Sequence, residues 1–216
     1  MTPACYKKVL IVLFFLLLSS EKCTAAGNTI GSGEGVYGYV KDENGSPIVN
    51  AGVSLFDGST LSNNIKTDSN GRYKIFSLSV SMNRYAVIFF TKEGYIPQAA
   101  NIKMYDRMGT EYSAVMKMAE TGNTGFVIGT IYQPIRGGKL KFQSGIYSFG
   151  KKSGVLLEQD GKIIKKETDK EGHFLFVVPS GRYKLSREND RKSIEVDVSA
   201  GQTVIKNLRS GIILVD

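Results

Sequence analysis

The sequence predicts an all-β protein built as two tandem β-sandwich domains. Three observations carry that prediction. Short segments with apolar residues at every second position recur along most of the chain, the period of a half-buried strand. Polar, glycine-bearing breaks separate them about every eight to twelve residues, the rhythm of a sandwich. One turn-and-strand segment also occurs twice, as Thr67-Asp68-Ser69-Asn70-Gly71-Arg72-Tyr73 and as Thr168-Asp169-Lys170-Glu171-Gly172-His173-Phe174. No stretch sustains a 3.6-residue apolar stripe over three turns, so one helical turn around Gln98 to Met108 is the most helix expected.

The N-terminal segment stands apart from this pattern. Lys7 and Lys8 precede an unbroken apolar run, Val9 to Leu18, and Thr24-Ala25-Ala26 supplies small residues. That order reads as a signal peptide, residues 1–26, with cleavage after Ala26, or after Ala25. As a helix the run rises about 15 Å, against a hydrocarbon core of roughly 30 Å, so it is too short to span. The expected location is secreted, periplasmic or cell-surface, with no transmembrane segment after cleavage. Both cysteines, Cys5 and Cys23, leave with the leader, so each domain must be held by its apolar core without a disulfide. Glu21 and Lys22 stand where a lipid-anchored chain has small residues before its cysteine, which argues against an anchor at Cys23. Gly31-Ser32-Gly33-Glu34-Gly35 has no strand before it and no helix after it, so residues 27–34 read as a flexible linker rather than a phosphate loop.

The first domain is expected over residues 35–120. Val36, Gly38 and Val40 fall on one strand face, and Asp42-Glu43-Asn44-Gly45-Ser46-Pro47 makes a turn. Ala51 to Phe56, Arg72 to Leu78 and Tyr85 to Thr91 continue the series. Residues 121–126 read as a linker, and the second, basic domain occupies 127–216. Val127-Ile128-Gly129-Thr130-Ile131 repeats the opening alternation. After an insertion from Arg136 to Gly150, strands are expected at Gly154 to Glu158, Lys162 to Glu167, Gly172 to Val178, Gly181 to Arg187, Ser193 to Val198 and Thr203 to Asn207. In both copies Asp bonds the backbone two residues on and Gly takes the positive φ that closes the turn.

These residues carry a family resemblance. Gly38 to Val53, with its acidic turn and Gly45-Ser46-Pro47, resembles the opening of a carboxypeptidase regulatory-like domain. Thr67-Asp68 to Gly71-Arg72-Tyr73 resembles that family's second signature and Lys92-Glu93-Gly94-Tyr95 its third. The second copy is degenerate at its opening and fits better later, at Thr168 to Phe176, Val178 to Leu185 and Ala200 to Val204. The resemblance implies a transthyretin-like or prealbumin-like, Ig-like sandwich of about seven strands, of a kind that is usually accessory: spacing surface proteins, or binding proteins and glycans.

Reactive constellations are scarce. A zinc peptidase needs two histidines and a carboxylate, and this chain has one histidine, His173. Its place after Gly172, where the first copy has Arg72, predicts a solvent-facing ring. No Gly-x-Ser-x-Gly elbow accompanies it. Asp42-Glu43-Asn44 and Asp57 carry oxygen ligands, yet Asp-x-x-Gly reads first as a turn. An isopeptide link of the collagen-adhesin B-repeat kind would have one order-compatible set: Lys139 or Lys141, Glu167 and Asn207. Neither an enzyme nor a cofactor is expected.

Binding surfaces are the remaining candidates. Tyr37 and Tyr39 alternate outward from Val36, Gly38 and Val40, beside Lys41. Residues 27–120 hold nine Lys+Arg against nine Asp+Glu, and residues 121–216 hold sixteen against ten. The excess lies in the second domain, where Arg182, Lys184 and Arg187 share one strand region. The aromatic interleaving of a nucleic-acid site is missing, so an acidic envelope or surface protein, or an anionic glycan, is the expected partner. Edge strands, including the closing Ile212-Ile213-Leu214-Val215, offer a route to self-assembly. The expected function is therefore a non-catalytic binding or structural component of the cell envelope or surface. The alternative is a carbohydrate-binding pair that stacks sugars on Tyr37 and Tyr39.

Overall fold

The computed structural model describes residues 35–58, 60–62, 64–76, 84–104, 109–120, 122–136, 146–148, 152–211 and 213–214. The expected leader with its expected cleavage point at Ala26, the expected 27–34 linker and most of the 136–150 segment lie outside them. The described residues are strands and turns, and none forms a helix long and apolar enough to cross a membrane.

Eight strands make the first sandwich: β1 (Val36–Asp42), β2 (Gly52–Phe56), β3 (Ile65–Lys66), β4 (Arg72–Ile75), β5 (Arg84–Thr91), β6 (Gln98–Met104), β7 (Thr110–Glu111) and β8 (Ala114–Met116). One sheet is built on β1, which pairs antiparallel with β4 and parallel with β7 and then β8. The other runs β3-β2-β5-β6, antiparallel throughout. The helical turn expected around Gln98 is absent from the described part of that segment. Gln98–Met104 is strand β6, registered on β5, with Ile102 turned into the core.

The second sandwich repeats this topology. Its strands are β9 (Thr124–Arg136), β10 (Ile146–Ser148), β11 (Gly154–Gln159), β12 (Lys162–Glu167), β13 (His173–Pro179), β14 (Gly181–Arg187), β15 (Ile194–Val198), β16 (Thr203–Ile205), β17 (Leu208–Arg209) and β18 (Ile213–Leu214). Here β9 replaces β1, pairing antiparallel with β13 and parallel with β16, β17 and β18. The partner sheet is β12-β11-β14-β15. The insertion begins as an extension of β9 to Arg136, on which β10 folds back. β18 pairs with β9 of its own chain.

The repeated turns are built alike. Asp68 Oδ1 accepts the Asn70 and Arg72 amides at 2.8 Å each, and Asp169 Oδ1 accepts those of Glu171 and His173 at 2.8 and 2.9 Å. Gly71 and Gly172 close the turns at φ +70° and +88°, where a side chain would be strained. Gly38 and Gly129 serve another need. A Cβ there would lie 1.9 Å from the Tyr112 carbonyl oxygen or 1.7 Å from that of Lys206, so glycine is what lets the last strands close against the first.

Three apolar layers result. Val36, Val40, Val53, Leu55, Tyr73, Ile88, Phe90 and Met116 fill the first sandwich, and Val127, Ile131, Leu157, Phe174, Phe176, Leu185 and Val196 the second. A third cluster joins Phe56, Val87 and Phe89 of the first to Ile128 of the second, flanked by Ala99, Tyr132, Leu175 and Ile205. The Phe56 and Tyr132 rings meet edge to face at 4.9 Å. The β3-β2-β5-β6 sheet thus packs its outer side on the β9 sheet, and the four sheets stack in sequence.

Candidate binding surface

Since β9 covers the β2/β5 sheet, the first sandwich leaves the outer side of its β1 sheet open. Register builds that side in rows. Tyr37 lies between Lys74 of β4 and Glu111 of β7, Tyr39 beside Arg72, and Lys41 beside Val115 of β8. Tyr37 and Tyr39 are half-buried rather than fully projecting, because β1 is flanked on both edges. The Lys41 ammonium stands 5.8 Å from the centre of the Tyr39 ring and the Arg72 guanidinium 5.5 Å, so two cations already address that ring. Arg72 Nε is buried without a hydrogen-bond partner among the described residues, which leaves the ring as its local compensation. Lys74 reaches 4.7 Å from the Phe76 ring, itself 65% exposed. The face is therefore aromatic and cationic. The sequence offered Tyr37, Tyr39 and Lys41 as candidates, and the register sets Arg72, Lys74 and Phe76, which it did not single out, on the same face. Their signal was present: they alternate with Tyr73 and Ile75, which face the core.

The second domain's basic residues are arranged differently. The Arg182 Nε–H donates to Asp197 Oδ1 at 2.8 Å, and that bond raises the guanidinium's pKa. Arg187 grips Asp190 with two N–H donors, at 2.9 and 2.7 Å. Lys184 is registered between Glu158 of β11 and Glu195 of β15. This outer face alternates in sign across its strands and offers no block of unpaired cations at these three positions.

His173 is buried, against the expectation of a solvent-facing ring. The correction has a tertiary cause: alternation places it on the same side of β13 as Leu175, the side that meets the first sandwich. Neither ring nitrogen has a hydrogen-bond partner among the described residues, and Glu171 Oε2 lies 3.7 Å from Nε2. Burial depresses its pKa, opposed by Asp169 and Glu171. Nearby, Asn101 of β6 donates to the Glu171 carbonyl at 3.0 Å, tying the two sandwiches. Tyr112 has a raised pKa from burial and from Glu171.

The acidic turn residues are already engaged. Asp42 Oδ1 accepts the Asn44 and Ser46 amides at 2.9 and 2.8 Å, and Asp57 Oδ1 that of Thr60 at 2.9 Å. No group of three or more metal-ligating side chains occurs among the described residues. Of the isopeptide set, Lys139 and Lys141 lie outside those residues, Glu167 is exposed, and Asn207 Oδ1 accepts the Thr130 amide at 3.1 Å.

Residues 35–117 match the model of the carboxypeptidase regulatory-like domain. The first sandwich is a domain of that family, and the shared topology makes the second a tandem partner of the same β-sandwich class. No curated protein matches the sequence. Solved structures with similarity include the Bacillus anthracis TIE protein, 13% identical, TM-score 0.33, covering 83% of this chain and 34% of that one. A streptococcal ancillary pilin is 14% identical, TM-score 0.33, covering 84% and 64%. The Bacillus cereus major pilin subunit BcpA is 10% identical, TM-score 0.31, covering 82% and 98%. The chain thus spans about a third of the first and under two thirds of the second. None of these likenesses bears on what the chain binds.

Proposed function

We propose that this is a secreted or envelope-exposed, non-catalytic protein that binds an acidic partner, an envelope or surface protein or an anionic glycan, through the outer side of its first β-sheet. One observation carries the reading: β1 and β4 set Lys41, Arg72 and Lys74 among Tyr37, Tyr39 and Phe76 on one open face. Cations interleaved with aromatic rings attract anionic groups and add apolar contact at low entropic cost. The second domain has the larger charge excess, yet Arg182 and Arg187 are paired with carboxylates, which favours the first domain as the recognising surface. A platform for uncharged sugars on Tyr37 and Tyr39 is the weaker reading, because Lys41 and Arg72 occupy the neighbourhood of the Tyr39 ring.

The test is titration of the purified protein with a sulfated hexasaccharide and with polyglutamate, at low and high salt. Binding to one of them should weaken steeply with salt, be lost in Lys41→Glu/Lys74→Glu and persist in Lys184→Glu. Equal loss in both variants, or indifference to salt, overturns the assignment.

A further inference from the structure

The apolar layer between the sandwiches does not run the full length of the sheets. On the outer side of β5, Val87 and Phe89 are sealed against the second sandwich, but Thr91, next in that row, opens into a groove. The groove has two lobes that share Glu93 and Gly201. One, about 390 Å³, is polar; the other, about 250 Å³, runs past Ala119, Ala200 and Phe126 and is mainly apolar. Both sandwiches and the segment joining them contribute to its walls, so it exists only in the docked arrangement.

We propose that this groove binds a short neutral oligosaccharide. The side chains of Asn50, Asn64 and Gln202 line the polar lobe, Asn64 lying beside Thr91 over Gly52. Each amide offers donors and acceptors together, which suits vicinal hydroxyls that also do both. Lys66 and Lys92 are balanced by Glu93 and Glu120, so the walls select neither a polyanion nor a cation. The apolar lobe receives the C–H face that a pyranose turns away from its hydroxyls. A peptide added as a strand is disfavoured, because turn amides along the walls are already bonded: Gly201 to the Thr124 carbonyl, Gln202 to that of Ser199, and Asn50 to that of Thr67. This site is separate from the β1/β4 face and does not depend on it.

The experiment follows backbone amide shifts of the isotope-labelled protein during titration with cellohexaose, chitohexaose and xylohexaose. At least one should move amides of Thr91 to Gly94 and Gly201 to Thr203 together. Asn64→Ala/Gln202→Ala, changes at exposed positions, should weaken that binding about tenfold or more. Lys41→Glu/Lys74→Glu should leave it intact, which separates this site from the acidic-partner surface. The proposal is overturned if none of the three sugars moves those amides, if shifts fall on the β1/β4 face instead, or if the double alanine variant binds as tightly as the parent.

Discussion

β5 and β14 occupy the same place in the two copies, each the third strand of a four-stranded sheet, yet they are written differently. In β5, Ala86 to Phe90 is an unbroken apolar run and every one of those residues is buried. In β14, Tyr183 and Leu185 are buried while Arg182 and Lys184, which alternate with them, are exposed. Register makes Phe89 equivalent to Ser186 and Val87 to Lys184, since Ile88 pairs with Leu55 as Leu185 pairs with Leu157. The sheets built on β1 and β9 show the reverse: β1 alternates, whereas Phe126 to Ile131 of β9 is buried throughout. Each copy therefore covers one sheet and leaves the other open, and it is the opposite sheet in each. Head-to-tail stacking appears in the sequence as a loss of alternation, as expected for strands buried on both sides.

Exchange at equivalent positions tests this most directly. Phe89→Ala should cost about 3–5 kcal/mol in urea unfolding, whereas Ser186→Ala should stay within about 0.5 kcal/mol. Similar values for the two would refute the covered-versus-open distinction. Close approach of the first and last strands is common to both copies, so Gly38→Ala and Gly129→Ala should each destabilise by about 1–3 kcal/mol or more; a silent change in either copy would mean that its parallel pairing is not as described. Asp68→Ala and Asp169→Ala each remove an acceptor of two amides and should cost about 1–2 kcal/mol, with faster amide exchange confined to the mutated turn.

A pH difference follows from His173. Its folded pKa lies below the ordinary 6.5, because burial outweighs the pull of Asp169 and Glu171. Folding favours the neutral ring, so its stabilisation is complete above 6.5 and is lost as pH falls below that value toward the folded pKa. The urea midpoint should drop on acidification from neutral pH, and less so in His173→Gln; equal drops would remove His173 from the account. The smallest effect is expected at the exposed Arg182–Asp197 pair, where Arg182→Ala should leave the thermal midpoint unchanged within error.

Much of this was readable beforehand. The duplicated Thr-Asp…Gly turn, the alternation of β1 and the bounds of β14 depend on local chemistry and on one-sided burial, which leave a period in the residues. The Gln98 segment was misread because its pattern, Gln98 to Met104, is weak on its own and becomes a strand by pairing with β5. His173 was misplaced for a related reason: a residue on the outer side of a sheet meets water or protein according to what lies beyond that sheet. Arg72, Lys74 and Phe76 were legible as an outward row, but their meeting with Tyr37 and Tyr39 required the β1–β4 register.

By itself, then, the sequence determined two copies of one all-β topology, their turns, and which residues of the alternating strands such as β1 and β14 face inward, because these follow from neighbours within a few positions. The docking of one copy on the other, the burial of His173 and the groove beside Thr91 were decided by tertiary structure. Each depends on groups far apart in the chain, and their proximity is set by how the sheets stack rather than by any local preference.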